Sequence, residues 1–417
     1  MYTLLSEWLS YLPTTIFQQN PEVTFHNAKI IQSRLGLIKP SCFTIVITGT
    51  NGKGSVVGCL EALSKAANLN IGTLTSPHLV KINERIRVNN IPITDEDFCV
   101  ALNQVHQAAK EIKLNYFQYI NLAGLLFLTQ QKLDLLVLEV GIGGRLDITN
   151  IIDNDLVVIT NIDYDHCEVL GNTRELIAKE KVALIRPQGC VVVGDDLPPR
   201  VIYIAINTQQ AKGFFINKDY RVYDRLSSWN YEFKQCKLTA LPKPHLLLRN
   251  VAIAFTAFNI VFPTKLTPLL AQEMLKNLSV PGRCQFLKKH CQWLLDVAHN
   301  PQGVQNLLEI IRVLQPKPTK IFAIFGVKEN KDIKTMLNIM AAEINEWHLI
   351  ELSGLPKGTN FLQLEQMFRQ SSIDCYYKSA NIKTAYQTIL EKADVNDLVV
   401  VFGSFIVVGD IIPYLME

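Results

Sequence analysis

What the 417-residue sequence lacks already narrows its function. Its nine cysteines (Cys42, Cys59, Cys99, Cys167, Cys190, Cys236, Cys284, Cys291 and Cys375) are odd in number and irregularly spaced, with no C-x-x-C pair. Neither a disulfide framework nor a structural zinc site is expected, and free thiols in a reducing compartment are the simpler reading. Basic and acidic residues nearly balance, 41 Lys and Arg against 38 Asp and Glu, and no long basic run occurs. A concentrated basic face for nucleic acid is therefore not expected. The most apolar stretch, Leu122–Val140, is interrupted by Gln130, Gln131, Lys132 and Asp134, so it cannot span a bilayer as one apolar helix. The opening segment, Met1–Pro13, carries Glu7 and no basic region, which makes a poor secretory signal. There is no internal repeat and no low-complexity tract. These absences predict a soluble, cytoplasmic protein.

What is present is a full core and an alternating pattern. Hydrophobic residues make up 48% of the chain and charged residues 19%, the balance of a globular protein. Apolar runs of strand length at Phe43–Thr48, Leu135–Val140, Leu156–Asn161 and Val191–Gly194 alternate with helical patterns. Gly54–Ala67 has helical spacing, and Thr94 with Asp97 marks the start of an amphipathic helix reaching to Lys113. After the punctuation Ser279-Val280-Pro281-Gly282 the pattern restarts. Strands are predicted at Trp293–Val297, Ile321–Phe325, His348–Leu352 and Leu398–Phe402. Helices are predicted at Gln302–Leu314, Lys331–Ile344, Asn360–Gln370 and Ile382–Lys392. Alternating strands and helices predict two α/β domains built on parallel sheets, residues 1–280 and 281–417. Arg200–Lys243 is less regular and reads as a β-rich insertion or an edge of the first domain.

The segment Thr48-Gly49-Thr50-Asn51-Gly52-Lys53-Gly54-Ser55 follows a strand and opens a helix. That context suits a phosphate loop: backbone N–H groups at a helix N-terminus face an anion, and glycines let the chain approach it. Lys53 would reach the β and γ phosphates, and Ser55 could offer its hydroxyl to magnesium. The spacing differs from G-x-x-x-x-G-K-[ST], because Gly54 separates Lys53 from Ser55. The bland alternative is a strand-to-helix turn with glycines for geometry alone, which leaves a lysine between two glycines unexplained.

This loop resembles the T-G-T-N-G-K-G-[ST] loop of the folylpolyglutamate synthases and dihydrofolate synthases, members of the Mur ligase superfamily. The resemblance continues in order through most of the chain. It runs through Thr75-Ser76-Pro77-His78-Leu79, Asn83-Glu84-Arg85-Ile86 and L-E-V-G-I-G-G-R-L-D-I-T-N at residues 138–150. Asp165-His166, Leu170-Gly171, Glu180-Lys181, Pro281-Gly282-Arg283, Asp296–Pro301 and Phe402–Gly409 complete it. Only a short stretch precedes the loop, as expected of the folate branch rather than the peptidoglycan ligases. The resemblance implies a P-loop ATPase domain of Mur ligase type followed by a smaller, Rossmann-like α/β domain.

It also implies a two-step reaction. ATP phosphorylates a substrate carboxylate, and the amine of L-glutamate attacks the acyl phosphate. The implied acceptor is dihydropteroate or a reduced folate already carrying glutamate, with ATP and Mg2+ required. The expected partners are these small molecules, without nucleic acid or membrane, on a monomer.

The site residues follow residue by residue from the same resemblance. Gly49 through Ser55, with Asn250, Arg283, Asp296 and His299, are implied ATP contacts, and Lys53, His166, Lys181 and Arg283 the catalytic set. Ser76, Glu139 and His166 are the implied metal contacts. A carboxylate at the end of a parallel strand suits magnesium, which prefers oxygen, whereas a histidine nitrogen is a less usual partner. Lys181 aligns with a lysine that many members carry as a carbamate; the alternative is a solvated helix lysine. Arg283 would meet the γ-phosphate, Asp296 would orient Arg283 or bind ribose, and His299 would pack near adenine. The implied site lies between the domains, whose closure would exclude water. The pterin side is implied at Glu22-Val23-Thr24, Tyr116-Phe117-Gln118 and Leu146-Asp147-Ile148. There the sequence departs from the family: Gln118 replaces an acidic residue, and Ile148 replaces alanine. Arg85 and Ser404 are candidates for the incoming glutamate by position and chemistry.

Three other readings compete: chain extension alone, a P-loop kinase or nucleic-acid NTPase, and a non-catalytic folate binder. Turnover without glutamate would mark the kinase or NTPase, and retention of Lys53, Glu139, His166, Lys181 and Arg283 argues against loss of catalysis.

Overall fold

The computed structural model describes residues 2–12 and 20–416. The chain forms two compact units, Met1–Pro244 with Leu248–Leu278, and His245–Leu247 with Ser279–Glu417. Among the described residues, no helix is long and apolar enough to cross a membrane, and all nine cysteines are free thiols.

The first unit opens with helices α1 (Leu5–Tyr11) and α2 (Pro21–Arg34), then strand β1 (Phe43–Thr48), α3 (Lys53–Ala66) and β2 (Ile71–Leu74). A 3-10 turn at Ile82–Arg85 leads to β3 (Ile86–Val88), β4 (Ile91–Pro92), α4 (Asp95–Ala109), α5 (Tyr116–Thr129) and β5 (Leu135–Glu139). A second 3-10 turn, Ile148–Ile151, precedes β6 (Leu156–Ile159), α6 (Cys167–Leu170), α7 (Arg174–Val182) and β7 (Cys190–Val193). Then come α8 (Arg200–Thr208), β8 (Lys212–Phe215), β9 (Tyr220–Asp224), β10 (Ser228–Phe233), β11 (Cys236–Pro242), α9 (Leu248–Val261) and α10 (Pro268–Lys276).

Among the described residues, an eight-stranded sheet runs β4-β3-β2-β5-β1-β6-β7-β8. Its central strands are largely apolar because helices cover both faces, so no alternation with polar residues is needed. The register sets the site. Ile47 of β1 lies opposite Glu139 of β5, and Thr48 opposite Ile159 of β6. Three carboxyl ends therefore finish level, where ligands of parallel α/β sheets bind. Helix α9 is buried on nearly every side, from Asn250 through Asn259, which matches its lack of a polar face.

The structure corrects two expectations and fills in a third. The sheet is mixed rather than parallel, since β3 pairs antiparallel with β2 and with β4. The predicted helix to Lys113 stops at Ala109, because Lys110 takes a left-handed φ of 49°. Arg200–Lys243 proves composite: α8, then the edge strand β8, then an antiparallel three-stranded sheet β11-β10-β9.

The second unit contains β12 (Gln285–Lys288), β13 (Gln292–Leu295), α11 (Pro301–Arg312), β14 (Ile321–Phe325), α12 (Ile333–Met340) and β15 (Glu346–Leu349). It continues with α13 (Phe361–Gln370), β16 (Tyr376–Lys378), α14 (Ile382–Lys392), β17 (Leu398–Phe402) and α15 (Phe405–Met416). The order β12-β13-β17-β14-β15-β16 is parallel except at β12, which is antiparallel to β13. Leu295 lies opposite Val401, so Asp296 and the Gly403-Ser404 turn leave the sheet at its carboxyl edge.

Candidate active site

The phosphate loop starts where β1 ends, and backbone geometry demands its glycines. Gly49 has φ +143° and Gly52 φ +85°, both in the region that favours glycine. A Cβ on Gly49 would fall 1.8 Å from Thr160 Oγ1, and one on Gly52 2.6 Å from Asn250 Oδ1. The segment after β6 braces the loop. Thr50 N–H donates to the Asn161 carbonyl (3.0 Å), and Asn51 N–H to Asn161 Oδ1 (2.9 Å). Thr160 Oγ1 donates to the Asn51 carbonyl (2.6 Å), and Asp163 N–H to Thr50 Oγ1 (2.9 Å). Lys53 begins α3, and its Nζ donates to the carbonyls of Gly49 (3.0 Å) and Thr50 (3.3 Å). Gly54 and the buried Ser55 continue the first turn, whose amides supply the partial positive charge of a helix start.

Replacing Gly49 with alanine forces both a strained φ and a backbone shift. Overpacking of this kind costs about 1–3 kcal/mol, so Gly49→Ala is expected to weaken nucleotide binding about ten- to hundredfold. Calorimetric titration with ADP checks this; unchanged affinity would contradict the loop geometry.

Glu139 ends β5 and is buried. Its Oε2 accepts from the backbone N–H of Ser76 (3.2 Å), so these two metal candidates meet. Burial excludes a carboxylate merely turned to water at the strand end. His166 caps α6 in a left-handed conformation, φ 51° and ψ 37°. A non-glycine residue held there is uncommon, and such strain gathers at functional positions. Asp165 holds it, Oδ1 accepting from His166 N–H (2.9 Å). Among the described residues, no group of three or more His, Cys, Asp or Glu could hold a metal ion alone. Magnesium fits such a sparse donor set, because it usually takes one or two carboxylates and completes its shell with phosphate oxygens and water.

Lys181 lies in α7 with only 3% of its surface exposed. The solvated alternative is therefore excluded. Burial first, and the neighbouring Lys53 charge second, push its pKa down to about 7, with Asp165, Asp147 and Glu180 opposing. A lysine in this state offers a substantial share of neutral, nucleophilic amine near neutral pH.

The pterin-side candidates converge at the starts of α2 and α5. Buried Gln118 donates from Nε2 to the Thr24 carbonyl (2.7 Å), while its Oε1 accepts from Asn115 N–H (2.9 Å). An ionised glutamate could accept there but not donate, so the departure from the family pattern ties α5 to α2. Glu22 pairs with Arg145 (3.7 Å), which also bonds Glu180 through Nε (3.1 Å); Val23 is exposed. Phe117 packs against Gly141, where a Cβ would meet its ring at 2.7 Å. Asp147, between Leu146 and Ile148, turns inward. One oxygen accepts from Gly141 N–H (3.0 Å), and the other from Thr149 N–H (2.9 Å) and Oγ1 (2.7 Å). Burial pushes its pKa up against these bonds. Its carboxylate thus holds the loop.

In the second unit Arg283 stacks its guanidinium 4.9 Å from the Phe405 ring centre. Asp296 accepts from Cys284 N–H (2.8 Å) and Sγ (3.2 Å) through one oxygen, and from Ala298 N–H (2.8 Å) through the other. Burial raises its pKa, and the Arg283 charge opposes the rise. His299 Nδ1 lies 2.8 Å from the Val297 carbonyl, which assigns the proton to Nδ1. Ser404 Oγ accepts from Val407 N–H (3.2 Å), capping α15. Asn250, in the first unit, is buried within α9 against Gly52, not at a helix cap.

Sequence reasoning missed Asn115, Thr160, Asn161 and Asp163 as supports. Asn115 followed by Gln118 is a capping-box signal that could have found the first. The other three act through bonds set by the β1–β6 register, which leaves no local mark.

Residues 47–238 match the Mur ligase middle domain, and residues 282–405 the Mur ligase glutamate ligase domain. The chain is 31% identical over 407 residues to the dihydrofolate synthase/folylpolyglutamate synthase of Escherichia coli K12, covering 96% of this chain and 93% of that protein. The E. coli FolC structure in complex with DHPP and ADP superposes with TM-score 0.90 at 29% identity, covering 99% of this chain and 98% of that one. A bifunctional folylpolyglutamate synthase/dihydrofolate synthase with Mn, AMPPNP and L-glutamate bound superposes with TM-score 0.88 at 31% identity, covering 99% and 98%. With both domain models matched in order and full-length relatives above 30% identity, the chain belongs to the dihydrofolate synthase/folylpolyglutamate synthase family of Mur ligases.

Proposed function

We propose that this chain is an ATP-dependent ligase that adds L-glutamate to dihydropteroate and to reduced folates through an acyl phosphate, releasing ADP and phosphate. The observation that carries the reading is the register that sets buried Glu139 opposite Ile47, two residues before the glycine loop and its Lys53. The named contents of the related structures support it: DHPP and ADP in one, Mn, AMPPNP and L-glutamate in another.

Gly49–Ser55 cradle the phosphates, with Lys53 on the β and γ groups. Ser76, Glu139 and His166 would hold Mg2+, which supplies charge neutralisation between the phosphates when bound. Arg283 neutralises the transferring phosphoryl group, and Asn250, Asp296 and His299 contact the rest of ATP. Lys181, as a carbamate, becomes an anion in place of a basic amine. Residues 22–24, 116–118 and 146–148 form the pterin side. The proposed setting is a cytoplasmic monomer.

Glu139→Gln removes the charge but keeps the shape. It is expected to raise the magnesium concentration for half-maximal rate at least about tenfold, and an unchanged requirement would remove Glu139 from the metal set. A narrower reading, chain extension alone, draws on Gln118, which alters the pterin side. Glutamate-dependent ADP release with dihydropteroate and with tetrahydrofolate separates the two. Turnover with both supports the proposal, turnover with tetrahydrofolate alone supports the narrower reading, and turnover with neither contradicts both.

A further inference from the structure

We propose that Arg85 grips the acceptor's carboxylate, the group that ATP phosphorylates, and presents its oxygen to the phosphate side of the site. This deepens the ligase reading above and rests on it. By position alone Arg85 was a candidate for the incoming glutamate; its surroundings reassign it.

Arg85 ends the 3-10 turn Ile82–Arg85 and is only 6% exposed. Its Nε donates to His78 Nδ1 (2.9 Å). A guanidinium only donates, so this ring nitrogen accepts, and the bond aims the guanidinium without supplying an anion. Glu84 fixes the turn from beneath, accepting from the N–H groups of Leu79 (2.8 Å) and Lys81 (2.7 Å). Among the described residues, no carboxylate forms an ion pair with Arg85, and no hydrogen bond leaves its two terminal amino groups. A buried guanidinium without an anion is costly, and its planar fork matches a carboxylate in two parallel bonds.

The position of the fork selects which carboxylate. On one side the Tyr116 ring lies 5.7 Å from the guanidinium carbon, next to Gln118 and its bond to Thr24. On the other side Glu139 is near enough to act on Arg85 by its charge, and Glu139 bonds Ser76. The fork thus lies between the aromatic, pterin-side candidates and the metal candidates. Dihydropteroate carries its carboxylate on an aryl ring, and the Tyr116 face suits that ring. One carboxylate oxygen then attacks the γ-phosphorus and ADP leaves. The other oxygen, still on the fork, is the one on which charge develops when the amine nitrogen adds to the carbonyl carbon. That charge then collapses, phosphate is expelled, and the nitrogen gives up its proton to the departing phosphate or to water, leaving the amide.

The test is a binding titration of the full chain with dihydropteroate and with its analogue bearing a carboxamide in place of the carboxylate. Wild-type protein is expected to prefer the carboxylate about 10- to 100-fold. Arg85→Ala should lose that preference by weakening dihydropteroate alone, leaving the carboxamide, ADP affinity and the KM for glutamate within about twofold. Arg85→Lys keeps the charge but not the fork, and should retain only part of the preference, so the test stands even if the alanine variant fails to fold. Variants that keep the wild-type preference, or that change only the KM for glutamate, overturn the inference. Wild-type protein that binds neither pterin overturns the folate reading and the inference with it.

Discussion

Lys53→Ala is expected to lower kcat for glutamate-dependent ADP release by at least about 10²–10³-fold while leaving the protein folded. The ammonium sits at the start of α3, where loop amides and the helix end already favour an anion. The side chain adds a full charge at the point where the γ-phosphate would carry its own. Its bonds to the Gly49 and Thr50 carbonyls are local to the loop. Losing them should move stability by about 1 kcal/mol or less. Steady-state kinetics with a thermal melt as control decide the matter. Turnover within about threefold of the parent, in a folded variant, would remove Lys53 from catalysis.

Lys181→Met is expected to act on activity and on the pH dependence of stability together. Lys181 has a folded pKa near 7, against 10.5 as its ordinary value. Between those values the unfolded chain binds the extra proton and the folded chain does not. Stability of the unmodified protein therefore rises as pH climbs from about 7 toward 10.5. The penalty is complete below about 7, on the order of a few kcal/mol. Methionine removes the titrating group, so the variant should gain stability at pH 6 and lose this part of the slope. The same neutral amine can add carbon dioxide, and the resulting anion would meet Lys53 with attraction in place of repulsion. Protein equilibrated with 13C-bicarbonate should show one carbamate carbon signal that Lys181→Met lacks, along with a loss of turnover of about 10²-fold or more. A variant with the parent's pH slope, or a parent without the signal, would contradict this role for Lys181.

The strands that build the site were legible because Phe43–Thr48 and Leu135–Glu139 are dominated by apolar and β-branched residues, and the glycines after each mark where the chain leaves the sheet. The antiparallel edges were not. Strands β3, β4 and β12 have three, two and four residues, too few to show a period. The burial of Lys181 was hidden for a similar reason, since α7 carries Lys179 and Lys181 two positions apart and only packing decides which one is covered. Gln118 was visible as a departure from a pattern, but its bond to Thr24 spans 94 residues and belongs to the tertiary fold. Asp147 was visible as a carboxylate. Its inward turn follows from capping the short 3-10 turn at Ile148–Ile151, which spacing does not announce. Arg85 was legible only as a candidate for the incoming glutamate, because its burial and its bond to His78 belong to the tertiary fold.

The central claim is that ATP activates the acceptor's own carboxylate, and an isotope label follows that oxygen directly. Dihydropteroate labelled with 18O in its carboxylate would be incubated with the protein, ATP, Mg2+ and L-glutamate, and the released phosphate and the pterin product analysed by mass spectrometry. The account predicts glutamate joined in an amide, with one 18O carried from the carboxylate into phosphate for each bond formed. Phosphate without label, released with ADP while the pterin stays unmodified, would contradict it.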